Sequence, residues 1–191
     1  LMKYQPLWLW AIGVDGSVWD NVPIEEQSLL RDMFTTAEER EAYLLGMART
    51  VDAERLARIG RLGEEFAMVS CREHLRDRGR SDLARYVTQV SLISDQLGYD
   101  IVALDTGGRK HRLEVKTTTV AVDSIDVFLS RNEADYAMKD PTWALLAIRA
   151  DGEDREVLGW CRGHIITRAL PVDTSSTAQW ASARIRVPLS E

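Results

Sequence analysis

The chain has 191 residues, which is long enough for one domain with a continuous hydrophobic core. Hydrophobic residues make up 45% and charged residues 28%, as in an ordinary globular protein, and no apolar run reaches the roughly 18 residues that a membrane span needs. The formal net charge of −6 argues against a protein that binds nucleic acid by charge alone, because phosphate contacts need Lys and Arg.

The N-terminal part is predicted to be mostly helical and acidic. Residues 6–14 favour a short strand or an aromatic anchor, and residues 22–34 have a helical pattern. Thr36 with Glu39 three residues later is the signature of a capping box at the start of a further helix. We therefore predict an accessory segment over residues 1–51, whose acidic helices offer a surface for a protein partner or a dimer.

A second domain is predicted over residues 52–191. It begins with a long helical pattern over residues 52–78, in which Gly60 and Gly63 predict either a break into two helices or the close approach of another backbone. Beyond Gly79 the hydrophobic period changes from 3.6 to 2, which indicates strands and hence an α/β domain.

The predicted strands of this domain form one sheet, with the last two at its edge. A short helix with Ser130 as its N-cap lies among them. The predicted strands cover residues 84–92, 99–106, 111–119, 125–130, 142–150, 156–166 and 183–190, and the helix covers residues 130–140.

Three charged residues interrupt two of these strands. Asp100 lies early in one, Glu114 and Lys116 share one face of the next, and the turn at Gly107–Gly108 makes the two strands antiparallel neighbours. Two carboxylates and one ammonium are therefore predicted to converge, where Mg²⁺ would offset the repulsion between the acids. The alternative is that Asp100 caps a turn and Glu114 pairs with Lys116 on an exposed face.

Other catalytic chemistries have weaker support. His74, His111 and His164 are scattered without the spacing of zinc ligands, and Cys71 and Cys161 lie far apart without a CxxC pair. The segment TGGRK lacks the strand–loop–helix context of a P-loop, so ATP binding is not predicted. The cysteine usage and the lack of a signal-peptide pattern lead us to expect a cytoplasmic protein that does not associate with a membrane.

The order of these motifs resembles the PD-(D/E)XK, or restriction-endonuclease-like, superfamily. Asp100 matches its first acid and Glu114–Val115–Lys116 its (D/E)XK triplet, although Tyr99 stands where the superfamily usually has Pro. A closer resemblance covers roughly residues 58–150, where IGRLGEEFAMV, VTQVSLISDQLGYDIVALD, RLEVKTTT and FLSRNEADYA follow one another as in the domain at the C-terminus of the plant protein NO VEIN.

This resemblance implies a restriction-endonuclease-like core, with a central mixed β-sheet flanked by helices and preceded by an N-terminal helical segment. It implies a metal held by Asp100, Glu114 and the backbone carbonyl of Val115, with Lys116 orienting or activating the attacking water. It also implies a Glu on the first core helix, for which Glu64 is the match and Glu65 the competing candidate.

Two further groups of residues have open interpretations. Ser130 and Glu133 either only cap their helix, or the start of this helix faces a phosphate or supports Lys116. Thr117 and Thr118 either contact a nucleic-acid backbone or are ordinary β-branched strand residues. Base stacking by Trp8 or Trp10 is a weaker possibility than a core or interface role.

The resemblance implies a Mg²⁺-dependent endonuclease, with Mn²⁺ as a possible substitute, that hydrolyses DNA phosphodiester bonds in bacterial restriction or defence. DNA is expected rather than RNA, and a homodimer is plausible because a double-strand cut needs two sites related by symmetry. The alternative is a catalytically silent module on the same fold that binds nucleic acid or another protein.

Overall fold

A computed structural model describes residues 24–94, 97–120, 124–173 and 180–189. The chain divides into two compact units, residues 1–58 and 59–191. The strand or anchor predicted over residues 6–14, including Trp8 and Trp10, lies outside the described residues. The boundary predicted between residues 51 and 52 stays a prediction.

Helix α1 spans Ile24–Met33, and helix α2 spans Ala37–Asp77 without a break. The capping box at the start of α2 is confirmed, because the Glu39 backbone N–H donates to Thr36 Oγ1 at 3.1 Å and the Thr36 N–H donates to Glu39 Oε2 at 3.1 Å. Gly63 does not interrupt α2. It is the point of a close approach, since an added Cβ would lie 1.9 Å from Thr117 Oγ1.

The second unit contains the end of α2 and an α/β fold. The remaining elements are α3 (Ser81–Ala84), β1 (Thr88–Gln89), β2 (Ile101–Leu104), β3 (Lys110–Thr118), β4 (Ser124–Ser130), α4 (Arg131–Lys139), β5 (Trp143–Asp151), β6 (Asp154–Arg162), α5 (Gly163–Ile166), a 3₁₀ turn (Thr167–Ala169) and β7 (Ser182–Pro188).

The central sheet has five strands in the order β1-β2-β3-β5-β6. Strand β3 pairs with β5 in parallel, and the other neighbours pair antiparallel. The parallel pair needs a crossover, which β4 and α4 provide. The predicted α/β fold with a mixed central sheet flanked by helices, as in a restriction-endonuclease-like core, is confirmed.

The prediction that all the strands form one sheet, with the last two at its edge, was wrong for β4 and for β7. Strand β7 pairs antiparallel with β4 in a separate two-stranded sheet, here called the β4–β7 ribbon, with Asp126 opposite Arg186. An alternating hydrophobic pattern fixes which side chains of a strand are buried, but it does not identify the strand's neighbour.

Two other predicted strands are shorter than expected. Within residues 84–92 only Thr88–Gln89 form a strand, because α3 takes the beginning and a turn with an N–H···O bond of 2.9 Å from Ile93 to Val90 takes the end. The strand predicted over residues 156–166 stops at Arg162. Gly163 then begins a short helix, packed so closely against α4 that a Cβ would lie 2.5 Å from the Ala137 carbonyl oxygen.

The two faces of the central sheet bury two separate cores. Side chains of α2, including Ala67 and Leu75, pack on the face that carries Val115 of β3. The opposite face packs against α4 and the β4–β7 ribbon, with Trp143 and Leu145 at its centre. Burial of a Val or Leu side chain, such as Val115, Leu75 or Leu145, contributes about 1.5–3 kcal/mol. Because side chains alternate along a strand, Glu114 and Lys116 lie on the face that α4 covers.

Candidate active site

The site forms where β3 extends beyond the end of its neighbour β2, so that one of its edges has no strand partner. Pairing with β2 ends at Ile101 opposite Leu113, whereas pairing with β5 continues to Thr118. Asp100 lies at this step: its N–H donates to the Leu113 carbonyl at 2.9 Å, and its Oδ2 accepts from the Val115 N–H at 2.8 Å. The N–H and C=O of one strand residue point to the same edge, so the Val115 carbonyl also faces the side of Asp100.

Glu114 and Lys116 lie together on the α4 side of β3. The Glu114 side chain is 5% exposed, and its Oε1 is 2.8 Å from Lys116 Nζ. Lys116 Nζ also lies 3.3 Å from Glu133 Oε2. The buried Glu114 excludes the exposed surface pair that the sequence had left open.

Glu133 has two functions in this arrangement. It forms a capping box with Ser130, in which the Ser130 N–H donates to Glu133 Oε2 at 2.9 Å and the Glu133 N–H donates to Ser130 Oγ at 3.3 Å. The carboxylate oxygen that caps the helix is the one that contacts Lys116. The cap and the support of Lys116 therefore both apply to Glu133, and the contact of this helix start with a phosphate stays a prediction.

Glu64 approaches from α2, on the other face of the sheet. Its Oε2 accepts hydrogen bonds from Gln89 Nε2 at 2.9 Å and from Ser91 Oγ. Glu65 is exposed, so Glu64 is the glutamate that faces the site. Sequence reasoning missed Gln89 and Ser91, although two polar residues at alternate positions beside the buried Val87 are the signal that could have found them.

The loop before Asp100 is fixed by Gly98. Gly98 has φ +66°, and a Cβ there would lie 2.4 Å from Tyr136 Cδ2. Its carbonyl accepts a hydrogen bond from Trp143 Nε1 at 2.9 Å, and the rings of Tyr99 and Tyr136 meet edge to face at 5.6 Å. A larger residue at position 98 would therefore displace Asp100 from its place at the end of the β2–β3 pairing.

These elements enclose an open cleft of about 690 Å³, here called the acidic cleft. Four of the described residues that line it are carboxylates, and none is Lys or Arg. The lining residues are Glu64, Ser91, Ser94, Gly98, Tyr99, Asp100, Glu114, Ser130, Asn132 and Glu133.

The cleft perturbs the ionisation of its acids. Burial raises the pKa of Asp100 to about 6, against the Val115 hydrogen bond and with the help of Glu64. Burial also raises the pKa of Glu114 well above its ordinary value, although Lys116 opposes this. Burial by itself would lower the pKa of Lys116, but Glu114 and Glu133 together outweigh it and raise that pKa. The raised pKa values of Asp100 and Glu114 indicate that Lys116 does not fully compensate for the burial of these two carboxyl groups.

The donor chemistry of the cleft fits a hard divalent cation. Within the described residues, no three His, Cys, Asp or Glu side chains converge into a complete ligand set, so a chelating zinc site is absent there. Mg²⁺ needs less, because it is held by one or two carboxylates and takes water and phosphate as its other ligands. Asp100, Glu114 and the Val115 carbonyl supply oxygen donors of this kind.

The two threonines that follow the triplet do not line the cleft. Thr117 Oγ1 is buried against Gly63 and has no hydrogen-bond partner among the described residues. Thr118 Oγ1 accepts from the Val120 N–H at 3.3 Å. Thr117 is therefore a packing residue, and its predicted contact with a nucleic-acid backbone has no support in this geometry.

The model of the family described as Protein NO VEIN, C-terminal, matches residues 63–159, a range that contains Glu64, Asp100, Glu114, Lys116 and Glu133. Searches of curated proteins and of solved structures gave no significant match. No helix in the described part of the chain is long and apolar enough to cross a membrane.

Proposed function

The chain belongs to the Protein NO VEIN, C-terminal, family, and from this membership and the acidic cleft we propose that it is a metal-dependent nuclease that hydrolyses DNA phosphodiester bonds. The observation that supports this most is the pair of carboxylates, the part-buried Asp100 and the buried Glu114, at an open strand edge beside Lys116. Buried acids of raised pKa destabilise a fold unless a ligand uses them, so their presence in a cleft favours a functional role.

Asp100, Glu114 and the Val115 carbonyl would hold Mg²⁺ or Mn²⁺, and Glu64 would contribute directly or through a water. The bound cation would polarise a phosphoryl oxygen and lower the pKa of a water. The Asp100 carboxylate is kept in place by the Val115 N–H, and Glu64 is kept in place by Gln89 and Ser91. The protein thus orients these acids before any substrate arrives.

The contacts of Lys116 support a role in orienting the attacking water. Its raised pKa keeps the ammonium charged at neutral pH, so it orients the attacking water and stabilises negative charge on the phosphate, rather than removing a proton. Glu133 restricts its position from the α4 side at 3.3 Å. Ser130 and Asn132 at the start of α4 line the same cleft.

One observation favours a second candidate, a catalytically silent binding module. The described lining of the acidic cleft contains no Lys or Arg, and the nearby Lys116 is already paired with two glutamates. A site without a bound cation would repel DNA. The silent module therefore predicts binding of a protein, or of DNA through a surface outside the cleft, that survives Asp100→Ala and needs no metal.

A cleavage assay separates the two functions. Supercoiled plasmid, linear duplex, single-stranded DNA and RNA are incubated with the wild type, Lys116→Ala and Lys110→Ala, each with Mg²⁺, Mn²⁺ or EDTA. Lys110 is a matched control because it is an exposed lysine at the start of the same strand. We expect metal-dependent cleavage of DNA that falls by at least about 100-fold in Lys116→Ala and not in Lys110→Ala. Equal behaviour of all three proteins on every substrate would show that the nuclease proposal is wrong.

The biological setting belongs to the same proposal. A role in bacterial restriction or defence predicts that cells expressing the wild type resist phage infection or plasmid entry, and that cells expressing Asp100→Asn do not. A double-strand cut also predicts a homodimer, which light scattering of the protein with and without DNA would measure.

A further inference from the structure

A second cavity adjoins the acidic cleft on the side of α4. It has a volume of about 590 Å³ and is here called the α4 cavity. It is lined by Arg112 of β3, by Asn132, Asp135, Tyr136 and Lys139 of α4, and by Asp140 and Pro141 directly after α4. Asn132 lines both cavities. The four α4 residues recur at helical spacing, so one face of this helix forms a wall of the cavity.

The two cavities also follow one another along β3. Arg112 and Glu114 are two residues apart and therefore lie on the same face, about 6.6 Å apart along the strand. This is similar to the separation of consecutive phosphates in an extended nucleic-acid strand. A strand whose scissile phosphate lies at Glu114 would thus place the next nucleotide at the α4 cavity.

The charge of the α4 cavity differs from that of the acidic cleft. Lys139 is 77% exposed, and its contact with Asp135 is a long 3.8 Å pair that water screens. Arg112 Nη1 contacts Asp140 Oδ2 and lies 3.1 Å from Thr142 Oγ1, and its guanidinium stands 5.6 Å over the Tyr99 ring. The cavity thus has one fixed and one exposed cation, the carboxylates Asp135 and Asp140, and the Tyr136 ring. Cations beside an aromatic ring are typical of sites that bind single strands.

We propose that the α4 cavity binds the nucleotide next to the scissile phosphate in a single-stranded stretch of DNA. Lys139 and Arg112 contact its phosphate, and Tyr136 packs against its sugar or base. The inference rests on the proposed function, because it assigns a substrate position to the same site. It gives the substrate two cationic contacts, Arg112 and Lys139, which the described lining of the acidic cleft does not offer.

The test measures binding without cleavage. Fluorescence anisotropy of a labelled single-stranded DNA oligonucleotide is recorded in EDTA over a range of salt concentrations, with the same RNA sequence as a second arm. The variants are Lys139→Glu and Asp135→Asn, and the control is Arg155→Glu, the same type of charge reversal on an exposed residue of β6 opposite Ala150, at the far end of β5.

We expect Lys139→Glu to raise the Kd by about 5- to 10-fold and to reduce the salt slope by about 0.7, the value for one phosphate contact on a single strand. Asp135→Asn removes a negative charge from the cavity and should lower the Kd by about 2-fold. Arg155→Glu should leave both values close to wild type. Tighter binding of RNA than of DNA would overturn the assignment of DNA as the strand that the cavity binds.

The failures of the two proposals are distinguishable. If the protein cleaves DNA with metal but Lys139→Glu and Arg155→Glu have equal Kd values, the proposal for the α4 cavity is wrong and the nuclease proposal stands. Loss of affinity confined to Lys139→Glu, in a protein that cuts nothing, would support the cavity and contradict the nuclease. A wild type that binds neither oligonucleotide overturns the inference.

Discussion

The acidic cleft and the β4–β7 ribbon place the same residue type in opposite surroundings. Asp100 in the cleft is largely buried, has Glu64 as an electrostatic neighbour, and has a pKa raised to about 6. Asp126 on the ribbon is solvated, accepts hydrogen bonds from Arg184 and Arg186, and has a pKa lowered to about 2.

The difference separates an aspartate whose ionised form suits the fold from carboxylates whose ionised forms do not, and to which the proposed function assigns a cation. Asp126 is matched by its partners, so its ionised form suits the folded chain. Asp100 and Glu114 are desolvated with too little positive charge nearby, and their ionised forms oppose folding at neutral pH. A bound cation would offset the cost of these two buried negative charges. The comparison therefore predicts that removing the charge of Asp100 stabilises the fold without metal and impairs the proposed function.

The largest expected effect is that of Asp100→Asn. The change keeps an oxygen to accept the Val115 N–H and removes the buried charge. We expect DNA cleavage to fall by at least about 100-fold, because a metal ligand is lost. We also expect the free energy of unfolding at pH 8 without metal to rise by about 1–3 kcal/mol. Cleavage rates and urea denaturation measure the two effects.

Loss of both activity and stability in Asp100→Asn would contradict the comparison, because it would show that the ionised carboxylate stabilises the fold. Asp126→Asn is the control, since it removes an aspartate that does not line the acidic cleft. Its cleavage rate should equal that of the wild type.

Glu64 and Glu65 form a matched pair on α2, one facing the cleft and the other solvent. Glu64→Gln keeps an acceptor for Gln89 and Ser91 and removes one negative charge from the site. We expect a metal affinity about 10-fold lower in calorimetry, as for other residues that assist metal ligands, and no change for Glu65→Gln. Equal affinities for the two variants would remove Glu64 from the site.

The pH dependence of stability tests the raised pKa directly. The pKa of Asp100 moves from its ordinary 3.8 to about 6, so the folded state holds this proton more tightly than the unfolded state. Stability from this group is therefore present below pH 3.8, falls as the pH rises towards 6, and is lost above that. The advantage of Asp100→Asn over wild type should grow from near zero at pH 4 to about 2 kcal/mol above pH 7.

Saturating Mg²⁺ should abolish most of that advantage at pH 8 and change little at pH 4.5, where Asp100 is protonated. Thermal unfolding of both proteins with Mg²⁺ and with EDTA would measure this. An advantage of Asp100→Asn that is constant from pH 4 to pH 8 would show that the carboxyl does not titrate in that range.

Local pattern was sufficient to predict the hairpin that delivers Asp100, Glu114 and Lys116. The Gly-rich turn fixes its register, and alternation fixes the face on which Glu114 and Lys116 lie. The capping boxes of Thr36 and of Ser130 were likewise predictable, because their partners lie three residues away. The choice of Glu64 over Glu65 needed the resemblance, and their different exposure then supported it.

Contacts between distant segments were not predictable in the same way. Gln89 and Ser91 hold a glutamate some 25 residues earlier in the chain. Nothing local in the sequence specifies that partner. The pairing of β7 with β4 joins residues 60 apart, and their alternating pattern fits either sheet. The sequence therefore predicted which strands exist more reliably than which strands are neighbours.

The smallest expected effect concerns that non-local pairing. Asp126 lies opposite Arg186, with Asp126 Oδ1 2.9 Å from Arg186 Nε and Oδ2 3.0 Å from Arg186 Nη2. Because its pKa is lowered from 3.8 to about 2, its contribution to stability is present above pH 3.8 and is lost as the pH falls through 2. The groups are solvated, so Asp126→Asn should lower the Tm at pH 7 by at most about 2 °C. The deficit should shrink in 1 M salt, which screens exposed pairs but leaves the advantage of Asp100→Asn largely intact. A Tm deficit unaffected by salt would mean that Asp126 stabilises the ribbon through packing rather than through charge. The electrostatic contrast between Asp100 and Asp126 would then be smaller than their surroundings indicate.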